Sequence, residues 1–180
     1  VLGAEHADRE PRLMGPYTEK DPFHEPMVLY GYLSGVTESL ELCTGVLILP
    51  QRQTALVAKQ AVQIDMLSGG RLRLGVGTGW NWVEYDSLNE PFETRGKRFD
   101  EQVEVLRQLW REPAVDYQGE YHRIEMAGLL PRPAHDIPLW FGALSEVAVR
   151  RAARAGDGAF SGTKPSRAKR LSDKLREYVD

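Results

Sequence analysis

The segment LSGGRLRLGVGTGWN, residues 67–81, sets five glycines around one short stretch of strand-like sequence. Ser68-Gly69-Gly70 reads as a helix stop, with glycine taking the left-handed conformation after the last turn. Residues 71–77 then read as a strand, whose side chains alternate between two faces. Leu72, Leu74 and Val76 make one face a packing surface, while Arg73, Gly75 and Gly77 lie on the other. That second face loses bulk toward the C-terminal end, and Gly79 continues the series. In α/β folds ligands bind at the C-terminal ends of parallel strands. Three readings of the glycines stand open: space for a flat ligand, turn chemistry, or a phosphate loop. The dinucleotide fingerprint needs a third glycine at residue 80 or 82, and both are tryptophan. Gly-Lys-Ser/Thr is also absent.

Working outward, the run 41–49 is apolar and β-branched, as a strand buried on both faces is, and Pro50 stops it. Inside it the small pair Thr44-Gly45 suggests a bulge or a close backbone approach. Residues 54–67 carry Leu56, Gln60, Ile64 and Leu67 at helical spacing, with Thr54 as N-cap. Met27 opens a helical run before the strand, and residues 1–26 read as irregular. Downstream, residues 80–93 form a polar insertion with no clear helix start. A helix follows from Thr94, lined by Phe99, Val103, Leu106 and Trp110. Residues 113–136 read as an excursion with a hairpin, 137–142 as a strand, 145–156 as a helix capped by Ser145, 158–161 as a strand, and 166–179 as a helix. Alternation at this rhythm predicts an α/β fold with parallel strands and right-handed crossovers.

A net charge of −3, with no long run of one sign, argues against nucleic acid as a partner. No apolar run approaches the ~20 residues that cross a bilayer, so no membrane partner is expected. A single cysteine, Cys43, forms no internal disulfide and reads as a small apolar residue, in keeping with a cytoplasmic location. No Cys/His pattern suggests a metal. His24, His122 and His135 read as loop histidines, and no catalytic residue is assigned. Trp80 and Trp82 read either as a pocket wall or as packing under the insertion; Glu84 is expected to pair with Arg95 or Arg98.

Residues 42–85, the arginine-led helix TRGKRFDEQVEVLRQLW and the segment PLWFGALSEVAVRRAARAGDGAF together resemble the luciferase-like flavin or deazaflavin oxidoreductases. The PQRQTALVAKQ version is most similar to the branch that uses coenzyme F420. The resemblance runs over roughly residues 20–162. It implies a partial (β/α)8 TIM barrel, about strands 3 to 6 with their helices, since a whole barrel needs ~250 residues. Residues 1–180 are thus expected to be one domain and a fragment, its exposed strand edges favouring a homo-oligomer.

By position, the resemblance implies a bulge with a non-prolyl cis peptide at Gly45-Val46, beside the middle ring of the cofactor. It implies cofactor contacts at Thr44, Gly45, Val46, Gly75, Gly77 and Thr78. It also implies a phosphate corner at Gly142, Ala143 and Ser145, with Lys164 as a second contact. The implied activity is hydride transfer between F420 and a small organic substrate. The alternatives are an FMN-dependent monooxygenase using oxygen and a non-catalytic flavin-binding truncated barrel.

Overall fold

The computed structural model describes residues 9–160 and 165–179. Helix α1 (Pro26–Val36) starts on a Glu25 cap, whose side chain accepts from the Val28 N–H. The next strand is split into β1 (Leu42–Cys43) and β2 (Leu47–Ile48), and a 3₁₀ turn, Leu49–Gln51, leads out of it. Helix α2 (Thr54–Ser68) ends on Gly69 at φ +69°, the stop expected from the Ser-Gly-Gly run. Strand β3 (Leu72–Gly77) follows, then a short helix α3 (Trp82–Ser87) and the long α4 (Arg95–Arg111). The excursion is an antiparallel hairpin of β4 (Val115–Gln118) and β5 (Arg123–Ala127). Strand β6 (Leu139–Gly142), α5 (Glu146–Ala155), β7 (Gly158–Phe160) and α6 (Pro165–Val179) complete the order.

The main sheet is wholly parallel and runs β1/β2–β3–β6–β7, so each crossover brings the next strand beside the last. This is the curled half of a barrel. Its helix-facing layer holds Leu72, Leu74, Val76, Leu139 and Phe141, all at most 1% exposed, against Val57, Ala61, Phe99, Val103 and Leu106. Phe99 meets Phe141 edge-on at 5.1 Å, which is a favoured aromatic geometry. Arg71 secures the start of β3 by donating to Thr37 O, Leu40 O and Thr37 Oγ1 at the end of α1, where helix carbonyls lack partners.

Two local readings change. Asn81, not a loop residue, caps α3: its side chain accepts from the Val83 and Glu84 N–H groups at 3.2 and 3.3 Å. Thr54 is not the cap of α2, because Gln53 stands at that position and the Thr54 hydroxyl is used elsewhere.

Between β1 and β2 the register with β3 changes. Cys43 pairs with Arg73 and Leu47 with Val76, so Thr44, Gly45 and Val46 stand opposite only Leu74 and Gly75. A bulge of this kind bends the strand and re-aims its backbone. Here it drives the Thr44 carbonyl onto Gly75, where a Cβ would overlap that oxygen and lie 2.8 Å from the Phe160 ring. Backbone cannot give way as a side-chain tip can. Gly75→Ala is therefore expected to cost about 3 kcal/mol or more, read as a drop in the urea midpoint at unchanged slope.

Candidate functional site

The bulge lies toward the C-terminal ends of the parallel strands, the end where α/β folds build their sites. Thr44 is buried, and its Oγ1 donates to the Gly75 carbonyl at 2.6 Å, tying the bulge to β3. The Gly45–Val46 peptide is cis, as the resemblance implies. Val46 turns its side chain over β3, so that a Cβ on Gly77 would come within 2.7 Å of Val46 Cγ2. The same methyl is 3.5 Å from a Cβ built on Gly142. Thus Thr44, Gly45, Val46, Gly75, Gly77 and Gly142 are brought together across three strands.

The glycine series acquires a different meaning here. Gly75 and Gly77 do not hold space open: the Thr44 carbonyl fills one gap and Val46 the other. Open space is at Gly45, where a Cβ would meet no heavy atom within 4 Å and the residue is exposed. The β3 glycines admit the bulge, and the bulge presents Gly45.

Thr78 follows directly, its carbonyl accepting from the buried Tyr85 hydroxyl at 2.6 Å. Ala143 is buried, with its N–H on the Phe160 carbonyl at 2.9 Å. Ser145 caps α5, its Oγ accepting from the Ala148 N–H at 3.3 Å. The helix start next to Ser145 offers free N–H groups and the positive end of the dipole. Glu146 sits there too, but its carboxylate is directed to Arg150, Lys174 and Tyr178, whose hydrogen bonds hold it down to about 2. Lys164 lies outside the described residues.

The tryptophans face the N-terminal segment. A Cβ on Gly15 would overlap the Trp80 ring, and the Arg9 guanidinium is 5.5 Å from the centre of Trp82. Glu84 accepts from Gln51 Nε2 at 3.2 Å, and the partner of Arg98 is Glu90 at 2.8 Å. Cys43 is part-buried, and burial pushes its thiol up, so a protonated, unreactive sulfur is expected. His24 is an exposed loop residue, and His135 lies 3.5 Å from the buried Asp65 carboxylate. Among the described residues no group of three His, Cys, Asp or Glu could hold a metal, and no helix is long and apolar enough to cross a membrane.

His122 is not a surface histidine. It is half-buried, with Nδ1 2.7 Å from Glu101 Oε1 and Nε2 2.6 Å from Thr54 Oγ1. Sequence offered little to show this, because Thr54 is 68 residues away. Asn81 did carry a signal, an N-cap type three residues before a glutamate.

Sequence comparison agrees with this geometry. The luciferase-like monooxygenase model matches residues 3–179. The chain belongs to the luciferase-like monooxygenase family. Among curated relatives of this luciferase-like chain, the uncharacterized protein Rv0940c of Mycobacterium tuberculosis is 38% identical over 161 residues, 89% of this chain and 56% of that one. The F420-dependent glucose-6-phosphate dehydrogenase of Segniliparus rotundus is 36% identical, covering 75% of this chain and 42% of that one. The pyrimidine monooxygenase RutA of Allorhizobium ampelinum is 32% identical, covering 77% and 39%. The chain therefore spans about half the length of the curated relatives it matches. The coenzyme F420-dependent tetrahydromethanopterin reductase of Methanopyrus kandleri superposes with a TM-score of 0.77 at 21% identity, covering 87% of this chain and 50% of that one, which shows the shared fold.

Glu101 gives this region a pH signature. Burial pushes its carboxyl up, but hydrogen bonds from His122 and from the Tyr121 and Glu120 N–H groups outweigh that and hold it below its ordinary value. A carboxyl depressed on folding stabilises above its unfolded pKa, and loses that contribution as pH falls through the folded one. Urea titrations of wild type and Glu101→Gln should therefore differ most near neutral pH and converge as the pH falls through the lowered folded value of this carboxyl.

Proposed function

We propose that this chain carries the cofactor platform of an oxidoreductase that moves hydride between coenzyme F420 and a small organic substrate. The observation that carries this reading is the bulge Thr44–Val46: it is fixed from beneath by Gly75 and Gly77 and leaves an uncovered backbone face at Gly45. A flat ring needs such a face, and a side chain at Gly45 would occupy it. The residues present fit a flavin-like group in this respect, and a relative named F420-dependent supports the deazaflavin.

When bound, the deazaflavin supplies the hydride chemistry, and this chain's residues position it and keep water away. The Gly45-Val46 backbone would bear one ring face, with Val46 packed against β3 beneath it. Thr44 Oγ1 holds that surface in register through Gly75. The start of α5, with Ser145, would receive the phosphate-bearing tail on its N–H groups. The general acid or base of the reaction is not assigned to this chain.

A second reading, an FMN-dependent monooxygenase, is favoured by the relative named pyrimidine monooxygenase. Oxygen uptake separates the two, since deazaflavin carries carbon where a reduced flavin meets oxygen.

Fluorescence titration of the full-length protein tests both. The expected result is tight quenching with F420 and weaker binding of FMN; tighter FMN with oxygen uptake would move the assignment to the monooxygenase. Gly45→Ala adds one methyl in open space, so its urea stability should match wild type within about 0.5 kcal/mol. Its affinity for the cofactor should fall about tenfold, because a rigid ring against a fixed backbone has no room to repack. Wild-type affinity in this variant would overturn the platform.

A further inference from the structure

The Thr54–His122–Glu101 chain has the order of a nucleophile–base–acid relay, with both contacts at hydrogen-bond distance. Thr54 is only 5% exposed, however, and its oxygen also accepts from Gln102 Nε2 at 3.0 Å, so no substrate carbonyl reaches it. Such a chain holds structure together. Which structure it holds is the informative point.

Gln102 is 1% exposed and points its amide N–H₂ at three oxygens: Leu49 O at 3.2 Å, Arg52 O at 3.0 Å and Thr54 Oγ1. Three acceptors fix the orientation of that amide. They also span the whole loop 49–54. Leu49 follows β2 without a break, Gln51 reaches Glu84 on α3, and Ile48 sits 2.8 Å from a Cβ built on Gly79. The loop thus links the bulged strand to the insertion beside it.

The other end of the chain is built to match. Ionised Glu101 is an acceptor on every side and takes the Glu120 N–H at 2.9 Å, the Tyr121 N–H at 3.0 Å and His122 Nδ1–H at 2.7 Å. Gly119 lets the hairpin turn approach this carboxylate, because a Cβ there would overlap it. With Nδ1 protonated toward Glu101, the imidazole presents Nε2 to the Thr54 hydroxyl. That hydroxyl donates to Nε2 and accepts from the Gln102 amide nitrogen, so both of its hydrogen-bonding roles are used.

We propose that Glu101, Gln102, His122 and Thr54 form a latch through which the β4–β5 hairpin and α4 set the position of residues 49–54, and hence of the Thr44–Val46 bulge. His122 and Thr54 are positioning residues, and this rests on reading the bulge as the cofactor platform. The hairpin is then a working part of the site, although it lies outside the strand ends.

The test uses Thr54→Val, which removes both hydrogen bonds at constant shape, Thr54→Ser, which restores them, and His122→Gln, all in the full-length protein. Two quantities are measured: the Kd for F420 and FMN, and backbone amide exchange across residues 44–54. Thr54→Val and His122→Gln are expected to weaken cofactor binding about tenfold and to speed exchange in that segment, and Thr54→Ser should behave as wild type. Unchanged Kd and exchange in both variants, even with a lower melting temperature, would overturn the latch and leave a merely stabilising contact. If Thr54→Val does not fold, His122→Gln decides by the same readings. A wild type that binds neither cofactor overturns the functional reading instead; the exchange rates then still decide the latch, wild-type protection in His122→Gln overturning it.

Discussion

The Thr44 carbonyl resting on the bare Cα of Gly75 is the contact on which the rest of the site depends. It exists only because three residues of one strand face two of the next. Once that carbonyl is seated, the positions around it follow. Val46 falls over Gly77, the Thr44 hydroxyl closes on the Gly75 carbonyl, and Gly45 is lifted clear of everything else. A rigid, side-chain-free patch of backbone results, at the end of the sheet where strands deliver their functional groups.

The two faces of the sheet divide the labour. On the helix side, apolar burial of Leu72, Leu74, Val76, Leu139 and Phe141 against α2 and α4 supplies the cohesion. On the other side the strand glycines are covered by the Thr44 carbonyl, Val46 and the Phe160 ring, while Arg73 stacks 5.2 Å from the Trp140 ring farther down. The bulge can be irregular because the helix-facing side of β3 stays regular. The Gln102 amide then joins the two sides, reaching from the buried face of α4 to the loop beyond β2.

Most of the architecture was legible from periodicity and breakers. The strands at 42–49, 71–77 and 137–142 stand close to where alternation and flanking Pro or Gly placed them, and the Ser68-Gly69-Gly70 stop and the Ser145 cap lie at the expected residues. These signals are local, within a turn or two of the chain. The resemblance further implied the cis peptide at Gly45-Val46, which the structure contains. What escaped was nonlocal. Gly75 looked like a vacancy because its neighbour's carbonyl arrives from 31 residues away. Thr54 looked like a cap because its hydroxyl partners, Gln102 and His122, lie 48 and 68 residues downstream. Helix α3 was missed for another reason: six residues are too few to show helical periodicity, and only the Asn81 cap announced it.

A crystal structure of the full-length protein with F420 bound tests the central claim most directly. The account predicts the deazaflavin ring lying flat on the Gly45-Val46 backbone, with its phosphate toward Ser145 at the start of α5. A ring bound elsewhere, with the Gly45 face empty or covered by protein, would contradict it.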